Sequence, residues 1–251
     1  MKIARFSHNS KINYGIIEGK SIKIVNGSIF DNNIDLSDLP IPMSSVKLLA
    51  PVIPSKIICV GLNYKDHAKE LDMPLPKEPI IFLKPPTTLL GPDETIVYPP
   101  AIGRLDYEAE LAIVIKKETK SVSAIDAKRH ILGYTCLNDV TARDLQKKDG
   151  QWTRSKSFDT FCPVGPHIET DLSLADLQIE ALVNGEVRQL SRTSELIFGV
   201  DLLIEFISAI MTLYPGDIIA TGTPKGVGPM KSGDLVSIRI EAIGSLSNYV
   251  K

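Results

Sequence analysis

Apolar and polar positions alternate in short blocks along most of this chain, which is the period of strands and not of helices. Such blocks predict strands at 80–84, 108–116, 131–137, 177–183, 217–221 and 234–240, with shorter strand-like stretches (KIARF, YGIIEG, SIKIV) near the start. Helical spacing is confined to a few segments: NYKDHAKEL, SAIDAKRHI, NDVTARDLQKK and TSELIFGVDLLIEFISAIM. In the last of these, Leu203, Ile204, Ile207 and Ile210 recur as one helical face. Turns at YPGD and KSGD separate the final elements, and nothing repeats at a fixed period. The pattern predicts a β-rich α+β fold without regular βαβ winding. The proline-marked stretch LLAPVIPSKIICVGLNY divides a small leading module, residues 1–48, from the main body, 49–251.

Composition narrows the class. Of 251 residues 43% are apolar and 23% charged, enough to bury a real core. A formal charge of −2 without any basic block excludes a nucleic-acid polyanion as the main partner. No apolar run approaches a membrane span, and MKIARFSHNS lacks the apolar heart of a secretory signal, so the expected location is the cytoplasm. Cys59, Cys136 and Cys162 are odd in number and widely spaced, and read as reduced core thiols. His8, His130 and His167 have no partner in the local sequence and are assigned no chemistry.

RLDYEAELAIVI poses the chemical question. Glu108 and Glu110 stand two apart at the head of an apolar strand, so they share a face and repel unless something positive lies between them. A hard divalent cation, magnesium or manganese, would answer that, because it takes oxygen ligands and retains waters. Asp139, after the strand ILGYTCL, is a third carboxylate, though it equally suits a helix cap. Read as helix from Asp139, the segment puts Arg143 and Gln146 on the same face, a fork and an amide suited to an anionic substrate. Lys156 in RSKSFDTFCPVG reads by itself as a snorkelling surface residue. His67 and Glu70 are three apart in GLNYKDHAKE, the spacing of an imidazole oriented by a carboxylate for general-base work. The glycine-rich ATGTPKGVGPMKSGD does not match a phosphate-loop signature, but its Thr223 hydroxyl and amides can face a ligand.

Taken together, these residues resemble the fumarylacetoacetate hydrolase family. The resemblance runs from about residue 50 onward through VGLNYKDHAKE, PIIFLKPPTTLLGP, LDYEAELAIVI, GYTCLNDVTARDLQ, KSFDTFCPVGP and GDIIATGTPKGVGPMKSGD, in that order. It implies a rolled, mixed β-sheet core with a small N-terminal domain, usually in homodimers. It implies a Mg2+ or Mn2+ ion on Glu108, Glu110 and Asp139 and no organic cofactor. A substrate pocket lined by Arg143, Gln146, Lys156 and Thr223, and a His67–Glu70 dyad on a lid, belong to the same expectation. Where the animal enzyme brings a fourth acid to its metal, this chain has Asn63, so three carboxylates plus water are expected.

Such a site suits a small 2-oxo acid. His67, assisted by Glu70, would activate water against the distal carbonyl of a 2,4-dioxo acid, and the cation with Lys156 would stabilise the departing pyruvate-type enolate. C–C hydrolysis of an acylpyruvate or fumarylpyruvate type is therefore the first expectation. The same groups support decarboxylation or isomerisation of 2-oxo and 2-hydroxy-diene dioic acids. Dehydration of 2-keto-3-deoxy sugar acids and non-catalytic binding complete the alternatives.

Overall fold

Strand Ala109–Ile115 is buried along its whole length, and the fold follows from what covers its two faces. The computed structural model describes residues 1–251. Ala109–Ile115 pairs antiparallel with Ile131–Asn138 on one side and Ile218–Ala220 on the other. The ladder continues through Cys162–Glu169 to Lys2–His8 in one direction. In the other it runs parallel to Ile57–Gly61 and then antiparallel to Ile80–Lys84. The result is a mixed, open 13-stranded sheet, the expected β-rich α+β architecture. The leading strands Lys2–His8, Lys11–Glu18 and Ser21–Asn26 extend this sheet through the pairing of Lys2 and Ile3 with Glu169 and Ile168.

Odd-numbered residues of the central strand, Leu111, Ile113 and Ile115, pack with a five-stranded sheet that contributes Ile179, Val236, Ile238 and Leu246. Helix Val200–Ile210 closes that side with Leu203, Ile204 and Ile207. Even-numbered Ala112 and Val114 pack on the opposite face with Cys59, Cys162, Ile218 and the leading module's Ile3 and Ile16. A strand covered on both faces has no reason to alternate, which explains the unbroken apolar run. The junction is clamped by buried Asp217, which accepts from Ser55 N at 2.9 Å, Ser55 Oγ at 2.6 Å and Tyr214 N at 2.8 Å. That clamp holds residues 55–57 beside 217–218, where the parallel pairing starts. All three cysteines are buried and unpaired. Burial pushes the thiols of Cys136 and Cys162 up to about 12, far from thiolate chemistry at neutral pH.

The expected strands are present to within three residues at each end. The helices differ more. Residues 138–142 are not helical: Thr141–Ala142 pair with Leu105 and Asp106, and the helix is Arg143–Asp149. Asp139 therefore does not share a helical face with Arg143 and Gln146. Backbone bonds from Asp139 N to Glu108 O (2.9 Å) and Arg143 N to Arg104 O (2.9 Å) outweigh the local helical preference. Likewise Thr193–Glu195 form only a 3₁₀ turn, because Ile197 N and Phe198 N are taken by the backbone and side chain of Asn63. The helix begins after Gly199 and leaves Ile210 exposed at its last position. Ala124–His130 is 3₁₀.

Candidate active site

Glu108 sits at a break. The chain leaves a three-stranded sheet at Tyr107 and enters the large one at Ala109. Glu108 N donates to Asn138 Oδ1 at 3.0 Å. Of three successive even positions, Asp106 and Glu108 reach Arg143 at the start of the helix Arg143–Asp149 and Glu110 reaches the Gly222 amide, and all three are buried. Asp139 is brought beside them, and ligand oxygens of Glu108, Glu110 and Asp139 lie within 4.8 Å of one another.

Cations surround two of these carboxylates and miss the third. Lys156, 2% exposed and not on the surface as its local sequence implied, donates to Glu108 Oε2 at 2.8 Å and Asp139 Oδ2 at 2.6 Å. Fully buried Lys84 binds Asp139 Oδ1, and donates to Val140 O at 3.2 Å. Arg143 donates to Asp106 Oδ2 at 2.9 Å, Glu108 Oε1 at 2.5 Å and Gln146 Oε1 at 2.6 Å. Burial alone pushes the Glu108 carboxyl up, but Lys156 and Arg143 outweigh it and hold it down to about 2. Glu110 has no cationic partner; it accepts from Gly222 N at 2.8 Å. Burial, then the like charges of Asp139 and Glu108, push its carboxyl well above the ordinary range.

Arg104 also forks onto Asp106, so four buried carboxylates face four cations, yet none of these cations bonds Glu110. An all-oxygen, net-negative donor set is what a hard divalent cation requires, so the residues present fit Mg2+ or Mn2+. Asn63 is no ligand, since its amide is spent on Thr221 O (2.8 Å), Phe198 O (3.1 Å) and Phe198 N (2.8 Å).

The acidic cluster forms the base of a cavity of about 330 Å³. Its lining also includes His67, Arg143, Gln146, Lys156 and Thr223, so every sequence-derived site residue except Glu70 reaches one space. Glu70 acts from outside: its Oε2 lies 2.9 Å from His67 Nδ1, and its carboxylate accepts from Gly226 N at 3.0 Å. This leaves His67 Nε2 directed away from that pair. The short helix carrying them, Lys65–Glu70, is further tied by Ser191 Oγ to Asp66 Oδ2 at 2.6 Å. Leu62, at φ +44°, turns the chain out of strand Ile57–Gly61 into this helix. Thr223 Oγ1 accepts from buried Gln189 at 2.9 Å, which leaves its hydroxyl proton to donate.

Lys84, Asp106 and Gln189 were missed by sequence reasoning. Asp106 was readable as the next even position before Glu108. Lys84 offered only a weak signal, a lysine closing the apolar strand IIFLK.

One wall is aromatic. Trp152 meets Phe82 edge-to-face at 5.1 Å, and the Cζ3–Cη2 edge of its ring abuts Gly61, where an added Cβ would stand 2.6 Å from it. Gly61→Ala is expected to displace the ring, at a cost of about 1–3 kcal/mol for overpacking. Trp152 is the single tryptophan, so its fluorescence reports the change directly. An unaltered emission spectrum and Tm would contradict the contact.

Sequence and structure comparisons agree with this architecture. Residues 56–251 match the fumarylacetoacetate (FAA) hydrolase C-terminal family, and residues 1–51 match the Rv2993c-like N-terminal family. The chain belongs to the fumarylacetoacetate hydrolase family, whose members are enzymes that commonly use divalent metals. Among its relatives is the mitochondrial oxaloacetate tautomerase FAHD2A of Bos taurus, 47% identical over 85% of this chain and 73% of that protein. The crystal structure of 5-carboxymethyl-2-hydroxymuconate delta-isomerase from Mycobacterium smegmatis superposes with a TM-score of 0.94 at 46% identity, covering 100% and 99% of the two chains. Maleylpyruvate hydrolase from Sphingobium sp. SYK-6 gives a TM-score of 0.84 at 34% identity, with coverage of 100% and 99%.

Proposed function

We propose that this protein is a divalent-metal-dependent enzyme that moves a proton between carbon and oxygen of a small 2-oxo acid, a keto–enol tautomerase or isomerase. The observation that carries this reading is the convergence on one cavity of a three-carboxylate cluster, in which Glu110 has no cationic partner, and of His67 oriented by Glu70. Relatives sharing nearly half their residues with this chain carry tautomerase and isomerase names, which ranks proton transfer above the hydrolysis expected from sequence.

Glu108, Glu110 and Asp139 would hold the cation, which when bound supplies Lewis-acid polarisation of the carboxylate and 2-oxo oxygens. Lys156, kept protonated because Asp139 and Glu108 outweigh the effect of its burial, places a fixed positive charge where enolate charge develops. Arg143 orients Gln146 by its bond to Oε1, leaving the amide Nε2 to donate to a substrate oxygen. With Nδ1 bonded to Glu70, His67 Nε2 is the atom that takes the proton from C3 and returns it. Thr223 Oγ1, which accepts from Gln189, has its hydroxyl proton free to donate to the substrate.

Hydrolysis of an acylpyruvate is the second reading, favoured by the same His67–Glu70 contact of 2.9 Å, since that imidazole can equally deprotonate water. Oxaloacetate, acetylpyruvate and a 2-hydroxy-diene-dioate, each assayed with magnesium or manganese, separate the two. The expected result is enol–keto conversion without C–C cleavage, and a loss of about 10²–10⁴-fold in His67→Ala. Cleavage of acetylpyruvate at a comparable rate would move hydrolysis to first place. An undiminished His67→Ala rate would remove the histidine from either mechanism.

A further inference from the structure

Three cations line the cavity, and two are already occupied. Arg143 is forked between Asp106 and Glu108, and Lys156 lies between Glu108 and Asp139. The third, Lys147, is exposed and engages no carboxylate and no hydrogen-bond acceptor of the protein. It stands four residues after Arg143 on helix Arg143–Asp149, hence on the same face one turn further along. Around it the outer cavity is apolar, with Leu71, Met73, Ile80 and Trp152. A lone uncommitted ammonium in an otherwise apolar outer wall offers a second anionic group its single charged contact there.

We propose that Lys147 is a specificity-determining residue that binds the distal carboxylate, so that the site selects a short 2-oxo diacid over the corresponding monoacid. This rests on the proposed 2-oxo acid reaction and narrows its substrate class. The apolar wall limits the length and polarity of what joins the two carboxylates. Lys147 discriminates by charge at the far end.

The test compares oxaloacetate with its 4-ethyl ester, which lacks the distal charge, in the wild type and in Lys147→Met with magnesium present. The wild type is expected to show the lower KM for the diacid. Lys147→Met should raise that KM by about 10-fold, the loss of one charge-assisted contact, and leave the ester's KM and both kcat values unchanged. An equal effect on both compounds, or on neither, would overturn the proposal. Should the wild type convert neither compound, the reading of the reaction falls. Thermal stabilisation by the diacid and the ester then decides on Lys147: a preference for the diacid that Lys147→Met erases supports it, and no preference refutes it.

Discussion

Glu110→Gln is expected to leave the metal-free protein as stable as wild type or more so, while removing its response to magnesium or manganese. Both signs follow from one asymmetry. Glu108 and Asp139 are paired with lysines and an arginine, but Glu110 is buried against like charges with only the Gly222 amide to bond. Gln keeps an acceptor for that amide and removes the repulsion. In the wild type, a hundredfold excess of cation over its Kd should stabilise by about 2.7 kcal/mol, or roughly 5–10 °C in a chain of this size. The variant should lose that shift. Turnover should fall by on the order of 10²-fold or more, since even residues one step removed from a metal are worth about 10–100-fold in affinity or activity. A metal-induced shift surviving in Glu110→Gln would place the ion elsewhere.

The same residue sets a pH dependence whose sign can be stated. Its folded carboxyl is raised above the unfolded value, so the metal-free fold holds a proton that the unfolded chain has released. The favourable contribution is complete below the ordinary carboxylate range and is lost as pH rises through the raised folded value. A bound cation displaces that proton and removes the penalty. Metal-induced stabilisation in the wild type should therefore increase with pH over this window. Glu108 behaves oppositely: held down to about 2, it contributes stability above the ordinary carboxylate range that is lost on acidification toward that value. Melting curves with and without cation at several pH values separate the two, and Glu110→Gln should flatten only the first.

How much of this was legible beforehand depends on the range of each interaction. Period-two spacing placed Glu108 and Glu110 on one face because that geometry is local, and it would have reached Asp106 if followed one step back. The strands were visible for the same reason. Residues 138–142 misled because their helical pattern is overruled by pairing with Leu105 and Asp106, some 36 positions away. Lys156 looked like a surface residue because its partners Glu108 and Asp139 lie 48 and 17 positions off. Lys84 was silent because its carboxylate is 55 residues distant. A buried ion pair leaves no local trace; either partner alone resembles an ordinary solvated charge.

That silence makes Lys84→Met the other large effect. Lys84 is wholly buried at the end of strand Ile80–Lys84, bound to Asp139 Oδ1 and the Val140 carbonyl. Met has similar length and fills the space, so the loss is chiefly electrostatic. Asp139 keeps Lys156 but loses half its compensation, and a buried carbonyl loses its donor. Breaking one side of a buried pair typically costs about 3–5 kcal/mol, which here corresponds to a fall in Tm on the order of 10 °C. Stability and metal binding then part company in the double variant Lys84→Met, Asp139→Asn. Removing the orphaned charge should restore most of the lost Tm, whereas the metal response, already dependent on Asp139, should stay absent. A single variant that melts within a degree or two of wild type would mean that Lys84 does not hold Asp139 in the folded protein. A double variant no more stable than the single would show the cost to be packing and not charge.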